Sequence, residues 1–247
     1  MDTGPCRVEP RKLRIDRGAM WEILRIGVPA GMQSAMYALS NTLIMSSVLR
    51  VNNTLCPGGS AVIDGNSAAL SIGNLISTCN GALALSYVSF TSQHAGAKQY
   101  ERLRRFIGCA YLCCVTFSAV AATSILLARR PLLSLYVSEE MAFETAELRM
   151  SITVGCYFLC ACMESGAQIL RGLGKSTTSA LITFALTCVG RVVWIYTVFE
   201  HFGTLRSVFI SYPISWGLAA LGQFIALTIV YRKQSGMPLI PLRKKTA

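Results

Sequence analysis

The sequence predicts an all-α polytopic membrane protein with six transmembrane helices. Of its 247 residues, 53% are hydrophobic and only 14% are charged, whereas a soluble domain usually carries about 25% charged residues. The apolar residues also form six runs that are long enough to cross a bilayer, separated by short connections. A barrel would instead show short segments of alternating polarity. The runs are Met20–Val48, Ala61–Ser92, Phe106–Ala128, Leu148–Leu170, Thr178–Phe199 and Val208–Tyr231.

The stretch from Ala61 to Arg105 orients the chain in the membrane. It has no charged residue between Ala68 and Phe90 and then reaches a turn that carries Lys98 and three arginines. Basic loops stay on the cytoplasmic side, so this turn marks the inner end. Of the 23 Lys and Arg residues, the predicted outer connections hold only Arg50, Arg129, Arg130, Arg149 and Arg206. This bias predicts a multi-pass protein of the cell membrane with both termini in the cytoplasm.

The distribution of charge divides the chain into three parts. Residues 1–19 are a basic cytoplasmic segment without the apolar core of a signal peptide, residues 20–232 hold the six helices, and residues 233–247 are a basic cytoplasmic tail. The formal charge of +11 is spread between apolar runs, which is the membrane pattern and disfavours nucleic-acid binding. Residues 129–149 look amphipathic and predict a short interfacial helix before the fourth run.

The first two runs contain polar side chains, and the first also contains a proline. Pro29 lies between Gly27 and Gly31, so we expect a helix kink where another helix can approach closely. Gln33, Tyr37 and Asn41 follow at intervals of four and form one stripe, and Asn66 and Asn74 begin a looser stripe on the second run. Such stripes either bond to neighbouring helices or line a water-filled cleft, and the sequence leaves both interpretations open.

The fourth and fifth runs contain ionisable residues, which are costly in hydrocarbon and usually face a cavity or a partner. Glu164 precedes Gln168 by one helical turn and Arg171 by two, so the three share roughly one face. Glu164 is therefore a candidate for exchanging a proton or coordinating a sodium ion; the alternative is a structural ion pair with Arg171 or Arg191. We expect structural roles for both arginines: Arg191 in an ion pair or helix-cap contact, and Arg171 reaching towards the cytoplasmic end.

No enzyme chemistry is predicted. The sequence contains no nucleophile with its base, no complete phosphate loop and no paired catalytic carboxylates, and its cysteines lack zinc-ligand spacing. We therefore expect no metal and no cofactor, apart from a coupling sodium ion or proton.

Six segments together resemble the multidrug and toxic compound extrusion (MATE) family of antiporters, and their order over residues 12–232 is the specific feature. They are EILRIGVPAGMQSAMYALSN, GNSAALSIGNL, SQHAGAKQYERLRR, LRGLGKS, RVVWIYTVF and SYPISW. The resemblance implies one six-helix lobe, the C-terminal one, of a twelve-helix transporter. It also implies export of organic cations or drug-like compounds in exchange for sodium ions or protons. Glu164 is the only residue that it places in ion coupling, because Gln33, Tyr37 and Asn41 stand where family members often have an acidic residue.

A single lobe leaves several alternatives open. The chain is a truncated, non-transporting half, or it pairs with a separately encoded N-terminal lobe, or it pairs with a second copy of itself. A related lipid-linked-saccharide flippase is a further alternative, although its cleft would be expected to carry several cationic residues. The partners implied are a small organic cation, the lipid bilayer and a second lobe.

Overall fold

The computed structural model describes residues 16–239 and is helical almost throughout. Six long helical segments and one short helix follow one another along the chain. They are α1 (Arg17–Leu55), α2 (Ala61–Gly96), α3 (Tyr100–Leu127), α4 (Arg129–Ser134), α5 (Glu140–Gly172), α6 (Ser176–Phe202) and α7 (Leu205–Ser235). The side chains of residues 26 and 30, together with residues 1–15 and 240–247, lie outside this description. Residues 1–15 of the predicted basic segment and 240–247 of the predicted tail therefore lie outside the described residues, while α1 already begins at Arg17 and α7 extends to Ser235.

Within residues 16–239, five helices are both long enough and apolar enough to cross a membrane: α2, α3, α5, α6 and α7. Helix α1 spans 39 residues, which exceeds the length that a bilayer requires, and its polar stripe sets it apart from the other five. The all-α, polytopic membrane fold is thus confirmed, and α1 as the sixth spanning helix stays a prediction. Helix α5 is central and packs on α2, α3 and α7, while α1 lies against α2, α6 and α7.

The helix ends lie at two levels of the bundle, which we call outer and inner after the orientation that the basic residues predict. At the outer end, Arg50 forms an ion pair with Glu200 at 2.8 Å, which joins the end of α1 to the end of α6. At the inner end, the Tyr231 hydroxyl donates to the Tyr100 carbonyl at 2.8 Å, so the end of α7 meets the start of α3.

The fourth span begins earlier than the sequence predicted. Helix α5 starts at Glu140 rather than near Leu148, and α4 alone is a short separate helix in this connection. The first turns of α5 are buried against the bundle, because small side chains at Ala142 and Ala146 let α2 come close. The interfacial helix predicted for residues 129–149 is therefore wrong for its second half, and Arg149 lies inside the protein rather than in an outer loop.

The closest helix crossing also differs from the prediction. A Cβ atom at Gly65 would collide with the backbone carbonyl of Ala142, so α2 and α5 meet backbone to backbone there. At Gly27 and Gly31, by contrast, an added Cβ would have no described heavy atom within 4 Å. None of the described helices packs closely at these two glycines, so the expected close approach is not found within this part of the chain. Helix α1 continues through Pro29, and the kink there stays a prediction.

Helix α6 contains two π-helical turns, Phe184–Val189 and Ile195–Phe199. Each π turn inserts an extra residue and rotates the helix beyond it relative to a regular α-helix. The short α-helical segment Gly190–Trp194 lies between them and carries Arg191. Arg191 therefore lies between two points at which α6 departs from regular α-helical geometry.

Candidate functional site

The helices form two partly open cavities that share one side chain, Tyr37. The outer cleft has a volume of about 310 Å³ and lies between α1, α2, α5 and α7. Its polar and aromatic lining is Tyr37, Asn41, Thr42, Asn66, Asn74, Ser77, Arg149, Thr153, Tyr157, Tyr212 and Trp216, and its apolar lining is Ile44, Met45, Val48, Leu70 and Cys160. The inner pocket has a volume of about 430 Å³. It is lined by Gln33, Ser34, Tyr37, Gly81, Leu85, Met163, Glu164, Ala167, Gln168, Arg171 and Thr183.

Arg149 is the cationic group of the outer cleft. Its side chain is only 5% exposed, and its Nη1 atom donates a hydrogen bond to Oδ1 of Asn66. The guanidinium carbon lies 5.5 Å from the centre of the Phe209 ring and 5.3 Å from that of Tyr212. The guanidinium is thus held by one amide and two aromatic rings, and its other N–H groups form no hydrogen bond with the described residues.

Arg191 lies directly behind the cleft wall and is 1% exposed. Its Nη1 atom donates to Oδ1 of Asn41 at 2.9 Å and its Nε atom donates to the Ser215 hydroxyl at 3.0 Å. The Tyr212 and Tyr37 ring centres lie 4.4 Å and 5.3 Å from its guanidinium carbon. Its Nη2 atom is buried without a hydrogen-bond partner among the described residues. The ion pair or helix-cap contact expected for Arg191 is therefore wrong.

No carboxylate compensates either arginine in the described part of the chain. The ion pairs there join Arg50 to Glu200 and Arg129 to Glu147, and the outer cleft is lined by no acidic residue. Cation–π contacts contribute about 0.5–2 kcal/mol each, whereas removing an ion from water costs several kcal/mol. Both guanidinium carbons lie over the Tyr212 ring, 5.3 Å and 4.4 Å from its centre. Two buried cations thus lie at or behind the outer cleft, whose described lining includes no acidic residue.

The inner pocket is organised around Arg171. Its Nη2 atom donates to Oε1 of Gln33 at 2.6 Å and its Nη1 atom donates to Oε1 of Gln168 at 3.1 Å. The side chain therefore bridges α1 and α5 inside the pocket, instead of extending to the cytoplasmic end as expected. The two amides hold the guanidinium in place without neutralising its charge.

Glu164 provides the carboxylate of the inner pocket. Its side chain is half-buried, and within residues 16–239 it forms no ion pair or hydrogen bond. Gly81 faces it: a Cβ atom there would stand 3.9 Å from Oε2. The carboxylate therefore points into free space that a proton or a small cation can enter.

The structure brings most of the predicted site residues together, but in two groups. Gln33, Glu164, Gln168 and Arg171 line the inner pocket, and Asn41, Asn66 and Asn74 line the outer cleft, with Tyr37 in both. Pro29 lies apart, in an apolar crevice between α1 and α6.

Sequence reasoning missed Arg149 and its aromatic neighbours Tyr212 and Phe209. The available signal was the spacing of Ala142, Ala146 and Met150, which marks a buried helical face that also includes Arg149. That face shows that the fourth helix starts before Leu148 and that Arg149 enters the bundle with it.

A bundle of membrane-spanning helices that carries polar clefts is an architecture found in the lobes of membrane transporters. The family model described as MatE matches residues 29–197, and the chain belongs to this family, multidrug and toxic compound extrusion. The family membership inferred from the six sequence segments is thereby confirmed.

Individual relatives are distant in sequence and close in fold. The probable multidrug resistance protein YoeA of Bacillus subtilis (strain 168) is 22% identical over 233 residues, covering 93% of this chain and 48% of that protein. The MATE transporter VcmN of Vibrio cholerae, solved in its bent form, superposes with a TM-score of 0.77 at 17% identity, covering 91% of this chain and 49% of that one. A MATE solved in complex with MaL6 superposes with a TM-score of 0.76 at 22% identity, covering 93% of this chain and 51% of that one. The chain spans about half the length of these relatives.

Proposed function

We propose that the chain is one lobe of a secondary active antiporter that exports organic cations or drug-like compounds in exchange for protons or sodium ions. The observation that supports this most directly is the Glu164 carboxylate, which faces a cavity of about 430 Å³ without an ion-pair partner among the described residues. Ionisable groups of this kind inside a membrane bundle are expensive and usually carry ions.

The coupling mechanism that we propose uses Glu164 as the ion-binding group and Arg171 as its electrostatic neighbour. Protonation or sodium binding at Glu164 removes a negative charge from the inner pocket, which changes the field acting on Arg171. Arg171 is bonded to Gln33 on α1 and to Gln168 on α5. An ion arriving at Glu164 therefore acts on a contact that joins two helices, which is how ion binding can bias two arrangements of a lobe.

The second lobe is part of the proposal. The family fold inferred from the sequence has twelve helices in two lobes, so this chain requires either a separate N-terminal lobe or a second copy of itself. We propose that both termini are cytoplasmic, which would place the ends of two copies on the same side of the membrane. Two copies can then be joined in tandem by a flexible linker without reversing either one.

Replacing Glu164 with Gln is expected to abolish gradient-dependent efflux and to leave membrane insertion unchanged. Glutamine keeps the size of the side chain but cannot ionise. The measurement is efflux of a fluorescent organic cation from cells that express the chain alone or the tandem of two copies. The matched control is Glu147→Gln on the same helix, which removes only a partly exposed ion pair with Arg129 and is expected to keep full efflux. Equal efflux from the wild type and Glu164→Gln would contradict the coupling role.

A further inference from the structure

The outer cleft has a charge that the expected organic-cation substrate does not match. Arg149 lines it, Arg191 stands behind its wall, and their guanidinium carbons lie 5.3 Å and 4.4 Å from the centre of the same Tyr212 ring. An organic cation entering this cleft would meet like charge and, among the described residues, no acidic side chain in the lining. Since a binding site is complementary in charge to its ligand, the cleft selects against cations.

The partners of both arginines leave donor capacity unused. Within the described residues, Arg149 uses one of its N–H groups on Asn66, and the Nη2 atom of Arg191 is buried without any partner. A guanidinium carries five N–H donors in a planar fork that matches the oxygens of a carboxylate or a phosphate. An anion in the cleft would accept hydrogen bonds from Arg149 and would supply the buried guanidinium with a counter-ion.

The other residues of the lining indicate what kind of molecule would carry the anionic group. Met45 and Leu70 give the cleft apolar surface, and the Tyr157 and Trp216 rings, 5.4 Å apart between centres, form an aromatic wall. The volume of about 310 Å³ is at the lower end of the range for sites that bind drug-sized molecules. A small amphipathic compound therefore fits better than a free inorganic ion.

We infer that the outer cleft is a binding site for an anionic group, a phosphate or a carboxylate, carried on a compound with an apolar or aromatic body. The inference rests on two buried arginines that both contact the Tyr212 ring and have no carboxylate partner among the described residues. The inference rests on the proposed function in one respect only, which is that this ligand is transported. In that case the transported compound is an anionic member of the drug-like compounds in the proposed function rather than an organic cation, and Glu164 in the inner pocket binds the coupling ion.

The test is equilibrium dialysis of the purified chain in a neutral detergent, with radiolabelled naphthyl phosphate as the probe. Naphthylmethylammonium has a similar size and the opposite charge, so it measures what the apolar body contributes alone. We expect the phosphate to bind about tenfold more tightly or better. Saturating naphthyl phosphate should also raise the unfolding temperature of the wild-type chain, because it binds only the folded state. Equal binding of the two probes, or no rise in that temperature, would overturn the inference.

Three variants locate the binding. Arg149→Gln should weaken naphthyl phosphate binding by about tenfold to a hundredfold, since one charge-assisted donor is lost, and Arg149→Lys should restore part of it. Arg130→Gln removes the same charge from an exposed position near the outer end and should leave the affinity unchanged. An affinity that does not differ between Arg149→Gln and Arg130→Gln would also overturn the inference.

A further arm separates a lipid headgroup from a free compound. Micelles doped with phosphatidate, with phosphatidylcholine as the control lipid, compete with the probe. Displacement by phosphatidate alone assigns the cleft to a lipid-borne phosphate, and no displacement assigns it to a free organic anion; both results keep an anion in the cleft. Because dialysis measures no transport, a failure of efflux leaves the binding result standing. Efflux of a cation without naphthyl phosphate binding would overturn only the inference.

Discussion

A Gly65→Ala substitution is expected to destabilise the folded bundle by about 3 kcal/mol or more, at the upper end of the range for overpacked cores. The added methyl group would collide with the backbone carbonyl of Ala142, where α2 crosses α5. A backbone atom cannot move aside as a flexible side chain can, so the two helices must separate. The measurement is thermal unfolding of the purified chain in detergent, together with the fraction that elutes as a single species in size-exclusion chromatography.

The matched control for this prediction is Gly108→Ala. Gly108 is an exposed residue of α3, and a Cβ atom there would have no described heavy atom within 4 Å. Alanine has the higher helix propensity, so this variant is expected to be as stable as the wild type or slightly more stable. If Gly65→Ala unfolds at the same temperature as Gly108→Ala, the close crossing of α2 and α5 is wrong.

The second large effect is expected from Asn66→Asp. The change is nearly isosteric and places a carboxylate beside Arg149, whose Nη1 atom already donates to Oδ1 of Asn66. The buried guanidinium then gains the counter-ion that the wild type lacks among its described residues. We expect the unfolding temperature to rise by several degrees, corresponding to about 1–3 kcal/mol. Binding of naphthyl phosphate should fall by about a hundredfold, because the new carboxylate competes for Arg149 and repels the ligand.

Asn80→Asp is the control that separates this account from a general effect of a buried carboxylate. Asn80 is 4% exposed, and its Oδ1 atom accepts a hydrogen bond from the Ser118 hydroxyl at 3.0 Å, with no arginine among its hydrogen-bond partners. Among the described residues no cation is hydrogen-bonded to Asn80, so a carboxylate there gains no counter-ion, and the variant should lose stability and keep its affinity for naphthyl phosphate. Equal changes in stability for Asn66→Asp and Asn80→Asp would contradict the charge assigned to the outer cleft.

The helices and the inner pocket could be predicted from local sequence patterns. Apolar runs of spanning length predict helices because the bilayer leaves a backbone few other ways to satisfy its hydrogen bonds. Glu164, Gln168 and Arg171 are close in sequence, so helical periodicity alone places them on one face. The structure shows all three lining one pocket, and their role in ion coupling stays a prediction.

The outer cleft could not be predicted in the same way, because its contacts join distant parts of the chain. Asn41 and Arg191 meet across 150 positions, and Asn66 and Arg149 across 83. Periodicity within one helix carries no information on which neighbour a side chain meets. The placement of Arg149 additionally depended on where α5 begins, and helix boundaries are the least reliable part of a sequence pattern.

The measurement that tests the account most directly is ion movement coupled to substrate in liposomes that contain only the purified chain or its tandem. A pH-sensitive or sodium-sensitive dye inside the vesicles reports the ion, while a labelled substrate reports transport. The account predicts that substrate flux drives an opposite flux of protons or sodium ions in the wild type and not in Glu164→Gln. Coupled ion movement of the same size in both proteins would contradict the account, and so would a substrate flux that depends on neither the proton nor the sodium gradient.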